Sequence, residues 1–316
     1  HSSSIAQGGP LTPGDSLDSR IETVMVEANG IKFEVDTCGQ GDCLALCLHG
    51  FPEHSVSWRY QIPVLAALGY KVWAPNLRGY GNSEAPSELK AYSLEVLMQD
   101  VASLIDAAGC REVVLIAHDW GAVIAWHFVM RALRPVSKLV ICNVPHPVPA
   151  ATALANGWGQ LKKSWYIFFF QLPWLPEWLM TQNKGGMGQM IAASASHPEN
   201  FSAEVIDLYD ENAARPKNFT AMLNYYRALV RGGGAARQRR LGYPVITVPT
   251  LMIWGEADMA LTVETTYGTE AQVSEFTLRY LPGISHWVQQ DAPEDVNAML
   301  TAFLQDLPVP EFKPED

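Results

Sequence analysis

Four stretches of the chain are apolar at almost every position: CLALCL at 43–48, VVLIA at 113–117, KLVIC at 138–142 and TLMIW at 250–254. Side chains along a strand alternate between two faces, so runs like these can leave neither face in water. They predict a sheet covered on both sides. Amphipathic segments lie between them. Ser93 predicts an N-cap, Leu94, Leu97, Val101, Leu104 and Ile105 recur behind it at helical spacing, and Gly109 ends the pattern. Further helices are predicted over 56–68 and 121–133, further strands over 71–75 and 276–281, and an opening hairpin, 21–27 with 31–36, around Asn29-Gly30. Val296, Met299, Leu300, Phe303 and Leu304 mark a closing helix. Strands alternating with helices define an α/β protein with a mostly parallel central sheet flanked by helices.

Residues 145–241 break this rhythm. β-Branched runs disappear, and helical, aromatic-rich pieces follow one another, punctuated by Gly185-Gly186, Gly188 and Gly232-Gly233-Gly234. The expectation is an α/β core, 21–144 with 242–316, interrupted by an inserted helical cap. Residues 1–20 read as a tag remnant and flexible leader.

Composition narrows the function. A net charge of −11, with no basic run interleaved with aromatics, argues against nucleic acid and anionic membrane surfaces as partners. The aromatic run WYIFFFQLPWLPEWLM is interrupted by Gln171, Pro173, Pro176 and Glu177, and is too short to span a bilayer. Five cysteines, odd in number and without CxxC spacing, read as buried reduced thiols, neither disulfides nor metal ligands. That reading suits the cytoplasm. RGYG at 78–81 is no dinucleotide fingerprint, because Glu84 stands where the third glycine belongs. No cofactor or metal is expected.

The most informative site lies at 113–128, where VVLIAHDWGAVIAWHF passes from strand to helix through a single acid flanked by small residues. This is the layout of a nucleophile elbow with Asp119 where serine is usual. A lone acid at such a turn is first read as a helix N-cap. Three further features weigh against that. Asp258 follows the strand LMIWG, His286 follows the last strand, and the order nucleophile, acid, histidine is that of α/β-hydrolase triads. HGFP at 49–52 places the Phe51 N–H where it could join that of Trp120 in an oxyanion hole.

With these motifs in view, the chain resembles the epoxide hydrolases of the α/β-hydrolase superfamily from about residue 21 to 307. The likeness rests on HGFPE, WR at 58–59, RGYGNS at 78–83, HDWG, NVPHP at 143–147, NYYR and GISHW. It departs at Ala117, where glycine is usual, and at Asn76, where aspartate is frequent. The resemblance implies an α/β-hydrolase fold and two cap tyrosines, Tyr166 and Tyr226, as donors to the oxirane oxygen. An ionised carboxylate can displace at saturated carbon without first losing a proton. The resulting ester keeps a carbonyl that water, activated by His286 with Asp258 behind it, can attack. A serine would leave an ether with no carbonyl to hydrolyse.

Pro52, Trp165, Phe169 and Trp287 are the expected substrate contacts, within a wider aromatic set of Trp158, Phe168, Phe170, Trp174 and Trp178. Glu53 is read either as part of a water-positioning network or as an exposed loop acid; His118 and His146 are read as structural or channel-lining. The partners expected are a small apolar epoxide and water, for a monomer or homodimer. Two other readings stay open: a haloalkane dehalogenase using Asp119, and a catalytically silent receptor using the capped pocket.

Overall fold

The computed structural model describes residues 18–157, 165–182 and 186–314. Among these, the strands β1 (Glu22–Ala28), β2 (Ile31–Cys38), β3 (Cys43–Leu48), β4 (Lys71–Pro75), β5 (Glu112–His118), β6 (Lys138–Cys142), β7 (Thr250–Gly255) and β8 (Phe276–Leu281) form one sheet. Their order is β1-β2-β4-β3-β5-β6-β7-β8. The pairs β1–β2 and β2–β4 are antiparallel and all others are parallel.

The apolar runs are explained by period two. Leu44, Leu46, Leu48, Val113, Leu115, Leu139, Ile141, Met252 and Trp254 face one core. Ala45, Cys47, Val114, Ile116, Val140, Cys142, Leu251 and Ile253, the intervening residues, face the other. Helices α2 (Leu94–Ala108) and α3 (Trp120–Arg131) cover the first face, and α1 (Ile62–Ala67) and α12 (Pro293–Leu304) the second. The predicted caps of α2 are present: the Ser93 side chain accepts from the Val96 N–H, and Gly109 is left-handed at φ 66°. All five cysteines are free, and Cys38, Cys47 and Cys142 are buried.

One expected helix is two pieces. Residues 56–68 form a 3₁₀ turn, Ser55–Trp58, and then the short α1. Pro63 lies in the first turn of α1, and its ring would strike the carbonyl of residue 59 if the helix ran straight through. The residues between the two pieces are buried and bonded elsewhere. Arg59 donates to Gln290 Oε1 and to the Asn200 carbonyl, and Gln61 donates to the Gln289 carbonyl and Asn297.

Between β6 and β7 the described elements are helices: α4 (Pro147–Asn156), α5 (Trp165–Phe169), α6 (Leu175–Gln182), α7 (Met187–Ser194), α8 (Ala203–Ala214), α9 (Pro216–Val230) and α10 (Gly234–Leu241), with one 3₁₀ turn. The short α11 (Val288–Asp291) precedes α12. Among the described residues no helix is long and apolar enough to cross a membrane.

Parallel strands end together, so the turns after β3, β5, β6, β7 and β8 gather at one edge of the sheet, where open α/β sheets bind their ligands. Gly121 lets α3 approach that edge: a Cβ there would stand 2.2 Å from the Leu48 carbonyl oxygen. Since backbone, not a mobile side chain, blocks the space, Gly121→Ala is expected to destabilise the fold by about 1–3 kcal/mol. Urea unfolding measures this, and an unchanged midpoint would contradict it.

Candidate active site

Asp119 links the end of β5 to the start of α3 with φ 52° and ψ −125°. An ordinary N-cap residue is extended and accepts from the second or third helical N–H. Asp119 does neither. Its backbone lies in a region that costs a non-glycine residue about 1–3 kcal/mol, and its Oδ2 accepts from the first helical N–H, that of Trp120, at 2.7 Å. The Phe51 N–H donates to the same oxygen at 2.8 Å. The two donors named from sequence thus converge on one carboxylate oxygen. Gly50 makes the approach possible, since a Cβ there would meet Asp119 Cβ at 2.1 Å.

The other oxygen, Oδ1, lies 2.9 Å from His286 Nε2, and His286 Nδ1 lies 2.5 Å from Asp258 Oδ2. Asp258 is held in turn. Its Oδ1 accepts from the N–H groups of Ala260 and Leu261, and its Oδ2 from Asn143 Nδ2 at 3.0 Å. Asn143, left-handed at φ 52°, also exchanges hydrogen bonds with both backbone groups of Gly255. It was visible only as part of NVPHP.

Burial works against every charge here, yet the charges favour one another more. Asp258 and Asp119 overcome desolvation and raise His286 well above the ordinary imidazole value. For Asp119 and Asp258 the desolvation is outweighed by His286, and both carboxyls are held below their usual range. The two carboxylates thus favour the charged form of the imidazole between them.

A cavity of about 540 Å³ opens over this cluster, lined by Phe51, Pro52, Phe169, Met187, Met190 and Trp287 together with Asp119, His286, Tyr166 and Tyr226. The two tyrosine rings lie 6.0 Å apart, edge to face. Tyr226 also packs edge-on against Trp120, Phe51 and Phe170. Burial, and next the nearby Asp119 charge, push both phenols up, so both are neutral donors. Arg227 ties their segments together: it donates to the carbonyls of Phe170 and Leu172 and pairs with Glu177 at 2.8 Å.

Other expectations change. Glu53 is no exposed loop acid but fully buried. Its carboxylate takes the Gly50 N–H, Gln290 Nε2 and, at 2.6 Å, His118 Nδ1, while His118 Nε2 meets the His286 carbonyl at 2.7 Å. Neither residue is among those lining the cavity. His146 is structural, its Nδ1 capping α4 through the Val148 N–H. Trp174 and Trp178, 67% and 52% exposed, face solvent and not the substrate space. Their spacing in an aromatic run gave no direction. Trp158 and the side chains of Trp165 and Phe168 lie outside the described residues.

Against known proteins, a family model described as alpha/beta hydrolase fold matches residues 46–173. The human protein named Epoxide hydrolase 4 is 34% identical over 290 residues, covering 90% of this chain and 78% of that protein. Epoxide hydrolase A of Mycobacterium tuberculosis is 33% identical, over 90% and 97% respectively. The chain belongs to the epoxide hydrolase family. Among solved structures, a Bacillus megaterium epoxide hydrolase in complex with an inhibitor superposes with a TM-score of 0.79 at 31% identity, covering 89% of this chain and all of that one. A Vigna radiata epoxide hydrolase does so with the same TM-score at 30% identity, over 91% and 99%. The sheet order, the elbow and the acid–imidazole cluster thus sit in an epoxide hydrolase scaffold over nine-tenths of the chain.

If the two carboxylates hold the proton on His286, removing one charge must loosen it. Asp119→Asn is expected to lower the His286 titration midpoint by at least one pH unit, roughly the effect of a single adjacent charge. NMR of the imidazole reads it, and coincident midpoints in wild type and variant would contradict the assignment.

Proposed function

We propose that the chain converts epoxides to vicinal diols through a covalent ester on Asp119. The observation that carries this reading is the convergence on one cavity of three parts: a carboxylate with one oxygen fixed by two backbone N–H groups, an imidazole between two carboxylates, and a pair of neutral phenols.

Oδ1 of Asp119 attacks an oxirane carbon as the C–O bond breaks, and a phenol, Tyr166 or Tyr226, gives its proton to the departing alkoxide. The new ester is neutral, so one of the two anions that held the His286 proton is gone. That proton restores the phenol, and the neutral imidazole, oriented by Asp258, takes a proton from water as the water attacks the ester carbonyl. The oxyanion forms on Oδ2, already between the Phe51 and Trp120 N–H groups. Collapse expels the diol, whose second hydroxyl takes the proton of the new carboxylic acid. Asp119 is regenerated with an oxygen from water, and proton and charge balance.

The phenols favour an oxirane over a haloalkane, because an alkoxide needs a proton and a halide needs only weak donors. In this reading residues 145–241 act as a cap that carries the phenols over the core. Pro52, Phe169 and Trp287 contact an apolar substituent. The five free thiols suit a reducing compartment such as the cytoplasm.

His286→Gln keeps the nucleophile but loses the base, so incubation with styrene oxide is expected to leave a stable adduct on the peptide containing Asp119, detectable by mass spectrometry. A folded variant with no adduct would contradict the ester. Tyr166→Phe and Tyr226→Phe should each slow ester formation by roughly 10- to 100-fold, and the double variant by more, within the range of general-acid catalysis. Single-turnover fluorescence separates that step from hydrolysis; unaltered ester formation in the double variant would remove the phenols from the mechanism.

A further inference from the structure

A net charge of −11 describes the whole chain and hides where the charges lie. From Asn212 to Gly255 the chain carries seven basic residues and no acid. Three of the seven are engaged. Arg227 pairs with Glu177, Arg237 pairs with Glu95 at 2.9 Å, and Arg215 donates to the Gly81 carbonyl and to Asn82. Lys217 stands at the start of α9, roughly 20 Å of helix from its far end. The other three, Arg231, Arg239 and Arg240, are exposed, and none makes an ion pair among the described residues.

The fold gathers these three. Arg231 closes α9, Gly232 and Gly233 make the turn, and α10 then runs about 12 Å to Leu241. Gly234 and Gln238, one turn apart, are buried and mark the inner face of α10, so Arg239 and Arg240 stand away from it. The far end is held in place. Arg131 donates to the Gln238 and Gly242 carbonyls, and Gly242, left-handed at φ 83°, turns the chain away. Acids on the adjoining surface are already matched, Glu88 by Lys90 and Glu95 by Arg237. The charge on Arg231, Arg239 and Arg240 is therefore a local surplus.

Aliphatic side chains lie among these cations. Val230 is 47% exposed, Leu241 62% and Val245 58%. Arginines in a last turn offset the helix dipole, but that gives no reason to leave leucine and valine in water beside them. Bare cations suit any polyanion. Arginines interleaved with exposed aliphatics suit the boundary between headgroups and acyl chains, where guanidinium meets phosphate and methyl groups leave water. Arg239 also lines a cavity that reaches Asp119, so a chain docked here holds that cavity close to the phase in which apolar epoxides dissolve.

We propose that residues 230–231 and 239–245 form a docking surface for anionic phospholipid bilayers. The acids of the chain all lie outside 212–255, so repulsion keeps the other faces off the same membrane and fixes the orientation of docking.

Flotation of the full chain with phospholipid vesicles tests this. It reads binding without turnover, so its failure is separate from failure of the hydrolase reading. At about 0.1 M salt, wild type should bind vesicles of equal phosphatidylcholine and phosphatidylglycerol more tightly than phosphatidylcholine alone. It should leave them at about 1 M, where the Debye length falls from roughly 10 Å to 3 Å. The double variant Arg239→Glu/Arg240→Glu should lose about tenfold or more in vesicle affinity. Leu241→Ser should weaken binding to vesicles but not to heparin. Lys217→Glu, an exposed charge outside the surface, should change little, and all variants should melt as wild type does. No binding to anionic vesicles at low salt, or a loss in Lys217→Glu matching that of the double variant, would overturn the surface. Binding to heparin with none to vesicles would mean a polyanion partner and would overturn the lipid assignment.

Discussion

The carboxylate of Asp119 has two unlike ends, and the rest of the site depends on that asymmetry. One oxygen is fixed by two backbone N–H groups and the other faces an imidazole. In the proposed cycle the first is where charge gathers when the ester carbonyl is attacked, and the second forms the bond to carbon. A flexible acid could not keep the two roles apart. The elbow does so by holding residue 119 in a strained backbone conformation, which a close-packed turn between β5 and α3 imposes. His286, held by Asp258, thus meets an already oriented partner. The raised basicity of His286 is the electrostatic consequence of lying between two carboxylates, and in the proposed cycle it also times the reaction, because forming the ester removes one of those charges.

The sheet serves this arrangement by bringing distant parts of the chain to one edge. The Phe51 N–H after β3, the elbow after β5, Asn143 after β6, Asp258 after β7 and His286 after β8 all follow from parallel register. The tyrosines come from the helical segment between β6 and β7, so the cavity is lined by residues of both the sheet edge and these helices. In the proposed reading this separates two tasks: the core carries the charged groups, and the helices between β6 and β7 carry the phenols and shape the substrate space.

Much of this was legible in the sequence because strong local signals agreed. Uninterrupted apolar runs can only be strands covered on both faces, and Ser93 and Gly109 bound α2 by capping chemistry that needs no tertiary information. Chain order led to Asp119, Asp258 and His286, which the fold brings into one hydrogen-bonded cluster. Family resemblance alone led to Tyr166 and Tyr226, which line the cavity above it. What failed was decided at long range. The helix expected over 56–68 is split by Pro63 and by buried side chains bonded to residues far along the chain. Glu53 sits in a polar loop yet is fully buried, because His118 and Gln290 satisfy it. Trp174 and Trp178 belong to an aromatic run but turn outward. Asn143 carries no charge and no catalytic motif of its own, and its importance appears only when β6 and β7 stand side by side.

The ester on Asp119 is the claim on which the chemistry stands, and oxygen isotopes test it most directly. With enzyme in excess over an epoxide in ¹⁸O-labelled water, a single turnover should place the heavy oxygen on the carboxyl of Asp119 and release an unlabelled diol. Label appearing in the diol in that first turnover, with Asp119 unlabelled, would mean that water attacks the oxirane directly and would contradict the account.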